Sequence, residues 1–254
     1  MSEPFVILED CGGYACITLN RPDKRNAMNT AAQMQLQDVL KQCLGKFAVA
    51  IITGAGAAFC SGIDLKERRE RLQSGEPPPA EYSRQGHSWV ETIETIRKHP
   101  MVFIAAVNGH ALGGGVALIN VCDLAIAAED AQIGTPEVTF ASYPTVAGPT
   151  TQLRILRKHA SWMILTGKLI DGKTAAKWGL VNRAVPKEAL MEEAHALAKH
   201  VAQFNPVTLD YSKKALDDIP SQVSDWTAAL DYGRVVTTVI QNKIGRENVT
   251  PKKF

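Results

Sequence analysis

Val102-Phe103-Ile104-Ala105-Ala106-Val107-Asn108-Gly109-His110-Ala111-Leu112-Gly113-Gly114-Gly115-Val116-Ala117-Leu118 is the stretch on which the reading of the fold turns. Val102 to Val107 is the longest apolar run in the chain and reads as a buried strand. Asn108-Gly109 ends it, and Gly115 to Val121 reads as a helix. Another short strand follows from Leu124 to Ala127. Three consecutive glycines between strand and helix let the backbone approach a ligand closely. They also leave amides at a helix N-terminus free to face a developing negative charge. A turn needed only for close strand–helix packing is the alternative. Dinucleotide binding fails on the residues: a GxGxxG reading from Gly113 meets Leu118 at its last glycine, and no GxxxxGK[ST] occurs. The loop suits an oxyanion better than a diphosphate.

Upstream, the same alternation continues. Tyr14 to Leu19 reads as a strand between Gly12-Gly13 and Asn20-Arg21-Pro22. Asn29 to Leu44 has helical spacing at Met34, Leu36, Val39, Leu40 and Leu44, with Asn29 or Thr30 as cap. Val49 to Thr53 is a strand that runs into Gly54-Ala55-Gly56. Glu67 to Gln85 is charged, breaks at Gly75-Glu76-Pro77-Pro78-Pro79, and is expected to be a mobile loop. His87 to Arg97 is helical up to Pro100. From Gln152 the signals are mostly helical: Ala160 to Leu165, Lys173 to Trp178, Lys187 to Phe204, Pro206 to Asp217 and Asp225 to Asn242. Val181 to Val185 is one extended interruption. The fold class is therefore α/β in front and all-helical behind, with the change near residues 190 to 205.

Composition narrows the classes. The 254 residues fit one large domain or two small ones. With 28 Lys+Arg against 26 Asp+Glu the net charge is +2, too small a basic excess for a dedicated nucleic-acid binder. At 45% hydrophobic and 21% charged, the chain can bury a full core. Cys11, Cys16, Cys43, Cys60 and Cys122 are odd in number, spread out and without a CxxC pair. Free thiols in a reducing cytoplasm are expected, with no disulfide framework and no metal site. Met1-Ser2-Glu3-Pro4 lacks a basic region followed by an apolar run, so no signal peptide is expected. No stretch reaches about 18 apolar residues, so no membrane span is expected.

Two more segments could carry chemistry. Gly54 to Leu65 follows a strand, and its small residues allow a second amide to point into a common pocket, as an enolate or thioester oxyanion requires. Ser61 within it lacks a GxSxG elbow and an identifiable His–Asp relay, which argues against a nucleophile. Gly134-Thr135-Pro136-Glu137 places a carboxylate among small and apolar neighbours, where desolvation would raise its pKa and suit it to proton transfer. A capping or salt-bridged surface glutamate is the alternative.

In order and spacing these segments resemble the crotonase (enoyl-CoA hydratase/isomerase) superfamily over about residues 5 to 240. The matching pieces are Leu19-Asn20-Arg21-Pro22 with Asn26-Ala27-Met28, Phe59 to Leu65, Ala106 to Gly115, Cys122-Asp123, Gly134 to Glu137, and Leu165-Thr166-Gly167 with Ala175 to Val181. The resemblance implies a spiral of ββα units over residues 1–195 that binds acyl-CoA. A helical C-terminal region, 196–254, would build a homotrimer or a dimer of trimers. It implies a coenzyme A thioester as substrate, no separate cofactor, and a cytoplasmic enzyme without nucleic-acid or membrane partners. The thioester carbonyl would lie between the amides of Ile63 and Gly114, with Glu137 as acid/base. Lys24, Arg25, Ala27, Ser61, Asp64 and Leu65 would contact coenzyme A.

Departures from the family pattern bear on the reaction. Typical hydratases of the family use two glutamates; the second matches Glu137, while the first corresponds to Ala117. One carboxylate suffices to move a proton between C2 and C4 of an enoyl thioester, so isomerisation is the favoured reading. Hydration of an unusual enoyl-CoA, with Tyr143 or a neighbour helping to hold water, is the runner-up, and a catalytically weak acyl-CoA binder is a third reading. Thr145 stands where dienoyl isomerases and aryl-CoA dehalogenases carry Asp, which argues against both. Tyr82, His87 and Trp89 lie near the variable loop and read as packing residues. Trp226, Leu230, Tyr232 and Val235-Val236 supply apolar material for assembly.

Overall fold

A computed structural model describes residues 3–74, 89–223 and 225–245. In chain order the strands are β1 (Val6–Asp10), β2 (Ala15–Leu19), β3 (Val49–Gly54), β4 (Ala58–Cys60), β5 (Val102–Val107), β6 (His110–Leu112), β7 (Leu124–Ala128), β8 (Ile133–Gly134) and β9 (Arg183–Val185). The helices are α1 (Thr30–Cys43), α2 (Leu65–Ser74), α3 (Trp89–Lys98), α4 (Gly114–Val121), α5 (Ala147–Gln152), α6 (Arg157–Thr166), α7 (Gly172–Trp178), α8 (Leu190–Val201), α9 (Pro206–Gln222) and α10 (Trp226–Ile244).

The long strands form one sheet in the order β1-β2-β3-β5-β7-β9, and the short ones a second sheet, β4-β6-β8. Only β1–β2 is antiparallel; all other pairs are parallel. After the β1-β2-α1 hairpin turn, each of the pairs β3-β4, β5-β6 and β7-β8 places a long strand in the first sheet and a short strand in the second, with a helix following in the β3-β4-α2 and β5-β6-α4 turns. This is a spiral of ββα units. Every residue of β3 and β5 is buried, which explains the unbroken apolar runs of β5 and of Val49 to Ile52 in β3: parallel strands covered on both faces have no polar side to show. Helix α8 packs on β3, β5 and β7.

Helix α1 starts where Asn29 accepts a hydrogen bond from the Ala32 amide at 2.9 Å, and it buries Leu36 and Leu40 completely. Burying such a leucine contributes about 1.5–3 kcal/mol. Met34 and Leu44 share the helical spacing but stay exposed. The segment expected to be a mobile loop from Glu67 instead begins as α2. That helix has no apolar stripe; its support is polar, and Glu67 Oε2 accepts from the Thr30 amide of α1 at 2.9 Å. Asp64 Oδ1 accepts from the Lys66 amide at 3.1 Å, and Lys66 pairs with Glu70 one turn on at 3.8 Å. The remainder of that segment, with Tyr82 and His87, lies outside the described residues.

Helix α8 runs through residue 195, so the boundary between residues 195 and 196 falls inside it. Lys213 ties α9 to the front. Its ammonium is buried, pairs with Asp123 at 3.0 Å, and donates to the carbonyls of Met101 at 2.8 Å and Ile96 at 3.2 Å. All five cysteines are free thiols, and only Cys11 is partly exposed. Among the described residues no helix is long and apolar enough to cross a membrane, and no cluster of three ligating side chains is suited to a metal.

Candidate functional site

Two asparagines fix the strand ends that build the site. The amide of Asn26 donates to Ala58 O at 2.7 Å and Ala55 O at 3.0 Å, and that of Asn108 donates to Gly54 O at 2.8 Å and Gly56 O at 3.0 Å. The β3–β4 corner is held by these contacts. Met28 then bridges to Ile63 in parallel: its amide donates to Gly62 O at 2.8 Å, and its carbonyl accepts from Asp64 at 3.2 Å. A parallel bridge of this kind leaves the Ile63 amide pointing the other way. Gly114 opens α4, so its amide is one of the first four without an intrahelical acceptor.

These two backbone segments touch. Gly62 has φ +84°, and a Cβ there would sit 2.8 Å from Gly114 N. Only glycine allows that approach. Gly113 has φ +50°, and a Cβ on it would come within 2.5 Å of Glu137 Oε1. The missing side chain is the space the carboxylate occupies.

Glu137 lies in a 3-10 turn, Pro136–Phe140, that Ala141 closes in the left-handed region at φ +55°. Oε2 of Glu137 is buried and has no hydrogen-bond partner among the described residues. Burial pushes the carboxyl up from its ordinary range, and no cation nearby counters it. A carboxyl raised in this way holds a proton more readily than a free glutamate, which suits it to proton transfer.

A cleft of about 360 Å³ joins these parts. Ile63, Gly114, Glu137, Arg25, Ala27, Ser61 and Leu65 all line it. Two residues expected at the site are placed differently. Lys24 is exposed, with its ammonium 3.6 Å from Asp23. Asp64 is taken up by Arg21, at 3.0 Å, and by the amides that open α2. Burial alone would raise its carboxyl, but the Arg21 hydrogen bond and the α2 amides outweigh it and hold the carboxyl below the ordinary range. Ala117 is fully buried in α4, and Glu137 is the one carboxylate among the described residues lining the cleft.

Trp89 belongs to both core and site. It is fully buried, lines the cleft, and donates its indole N–H to Gly114 O at 3.1 Å. Nothing in the linear spacing pairs residue 89 with 114. Arg68, Val90 and Phe140 also line the cleft and went unread in the sequence. Arg68 had a readable cue, since it follows Leu65 by three residues on one helical face.

The family model described as Enoyl-CoA hydratase/isomerase matches residues 9–246. This chain belongs to the enoyl-CoA hydratase/isomerase family. It is 37% identical over 220 residues to a probable enoyl-CoA hydratase of Rhizobium meliloti, covering 85% of this chain and 82% of the relative. It is 35% identical over 212 residues to the hydroxycinnamoyl-CoA hydratase-lyase of Pseudomonas fluorescens, covering 82% of this chain and 75% of that one. The crystal structure of an enoyl-CoA hydratase from Bacillus anthracis superposes with a TM-score of 0.83 at 30% identity, covering 98% of each chain. As a member of that family it is an acyl-CoA enzyme.

Proposed function

We propose that this enzyme moves the double bond of an enoyl-CoA thioester, with Glu137 as its single acid/base. The observation that carries the reading is the lone carboxylate of the cleft, whose Oε2 is buried without a partner. The thioester carbonyl accepts hydrogen bonds from the amides of Ile63 and Gly114. Glu137 removes a proton from C2 of a 3-enoyl thioester, and the electron pair delocalises onto the carbonyl oxygen as a dienolate. The two amides stabilise that charge where it develops. Glu137 then returns the proton to C4, and the double bond comes to lie between C2 and C3. The transfer balances with no redox or metal group. Arg25 faces the phosphates of coenzyme A, with Ala27 and Ser61 along the thioester arm.

Hydration is the second reading, favoured by the names of the relatives. Tyr143 supports it, because it lines the cleft and carries a hydroxyl that accepts a hydrogen bond from Gln152 at 3.0 Å. Incubation of 3-hexenoyl-CoA with the enzyme, followed by the absorbance of the conjugated thioester, tests the first reading. No turnover there, with loss of that absorbance from crotonyl-CoA, would establish hydration in its place. Binding without either reaction would make the protein an acyl-CoA binder.

The rear helices support assembly as a homotrimer or dimer of trimers. Trp226, Leu230 and Val235 of α10 are exposed. A monomer by sedimentation at micromolar concentration would reject this.

A further inference from the structure

The cleft holds a second charge that proton transfer does not use. Arg68 lines it from α2, on the same helical face as Leu65. The pairing of neighbouring segments gives its place. Ser61 donates its amide to Arg25 O at 3.0 Å, Ile63 lies level with Met28, and α2 continues from there. In that pairing Arg25 and Ser61 precede the level of the Ile63 amide, while Leu65 and Arg68 follow it. Trp89, Val90 and Phe140 also line the cleft and carry no charge.

Four guanidinium groups of the fold have counter-charges: Arg21 pairs with Asp64, Arg97 with Asp217, Arg183 with Glu193 and Arg234 with Asp231. Arg68 has no carboxylate within ion-pair distance among the described residues, although it is half-buried. Nor is it paired with Glu137, whose Oε2 has no partner among the described residues. A guanidinium in a largely apolar cleft is a ready partner for a carboxylate, which it can hold through two parallel N–H donors.

We propose that Arg68 makes this cleft selective for acyl-CoA thioesters whose acyl chain carries a carboxylate at its far end. The inference rests on the thioester reading above, and binding separates it from the reaction. A phosphate of coenzyme A is the other anion that could reach a guanidinium.

The test measures binding of adipoyl-CoA, hexanoyl-CoA and coenzyme A to the intact enzyme and to its Arg68→Met and Arg68→Lys variants. The enzyme binds adipoyl-CoA about tenfold or more tightly than hexanoyl-CoA. Arg68→Met removes that preference by weakening adipoyl-CoA alone, Arg68→Lys keeps part of it, and coenzyme A is unaffected. Equal weakening of all three ligands in Arg68→Met would assign the residue to phosphate and overturn the proposal. Equal affinity of the unaltered enzyme for the two acyl thioesters, or no binding of either, would also overturn it. If the preference holds while neither 3-hexenoyl-CoA nor its ω-carboxylated analogue is isomerised, the reaction is misassigned and Arg68 keeps its role.

Discussion

The front and rear of this molecule use apolar residues in opposite ways. Strands β3 and β5 bury every residue within their own chain, whereas α10 buries none and α9 buries only Lys213. Trp226, at the start of α10, is 81% exposed. The rear helices rest on local devices: Asn205 and Asp225 cap α9 and α10, and Lys214 pairs with Asp210 one turn away. The front derives its order from burial, the rear from its backbone and its attachment at Lys213. Substitutions in front should cost activity and stability together or separately, according to which atoms they touch. Most substitutions on the rear surface should cost a lone chain little.

The largest expected effect is at Glu137. Glu137→Gln should lower kcat/KM on an isomerisable enoyl-CoA by about 100- to 10,000-fold while the thioester still binds. Retained turnover would remove Glu137 from the mechanism. In the unaltered enzyme, the acidic limb of kcat/KM should lie above the ordinary carboxylate range, because burial raises the carboxyl. The same shift has a stability consequence. The folded chain keeps this proton to higher pH than the unfolded chain, so stability falls as pH rises from the ordinary carboxylate value through the raised one. Glu137→Gln removes that loss, so its Tm at neutral pH should match or exceed that of the parent.

Next comes the joint between the two regions. Lys213→Ala leaves Asp123 facing no cation in a largely buried place and should cost about 3–5 kcal/mol in denaturant unfolding. A loss confined to the rear, with enzymatic activity retained, would show that the front folds without its tail. Gly113→Ala should reduce kcat on the order of 100-fold and also cost about 1–3 kcal/mol in unfolding, since its methyl displaces the Glu137 carboxylate and strains a backbone held at φ +50°. The smallest effect is at the rear. Trp226→Ser should move the stability of an isolated chain by no more than about 0.5 kcal/mol. A large loss there would mean that the tail is already covered in solution, and the contrast would dissolve.

Elements with many residues and one clear periodicity were legible in the sequence. Strand β5 and the Asn29 cap of α1 stand where the pattern puts them. Strands β4, β6 and β8 did not show, because two or three small residues among glycines carry no period. Helix α2 was hidden by its charges, and α5 by Gly148-Pro149. At the site, Glu137, Ile63 and Gly114 followed from the resemblance. Asp64 shows the limit of that route, since its neighbours in space, Arg21 above all, decide its use. Trp89 and Arg68 depend on contacts between elements far apart in the chain, which no local pattern encodes.

The contact between Gly62 and Gly114 has a consequence for how this protein tolerates change. In the proposed reaction the groups offered to the thioester oxygen there belong to the main chain, so no replacement short of proline deletes them. Scanning each position to alanine would leave both amides in place and register damage only where a methyl is added. Chemical drift in the surrounding side chains can therefore retune which acyl group is accepted, while the charge-stabilising pair passes unchanged from one variant to the next.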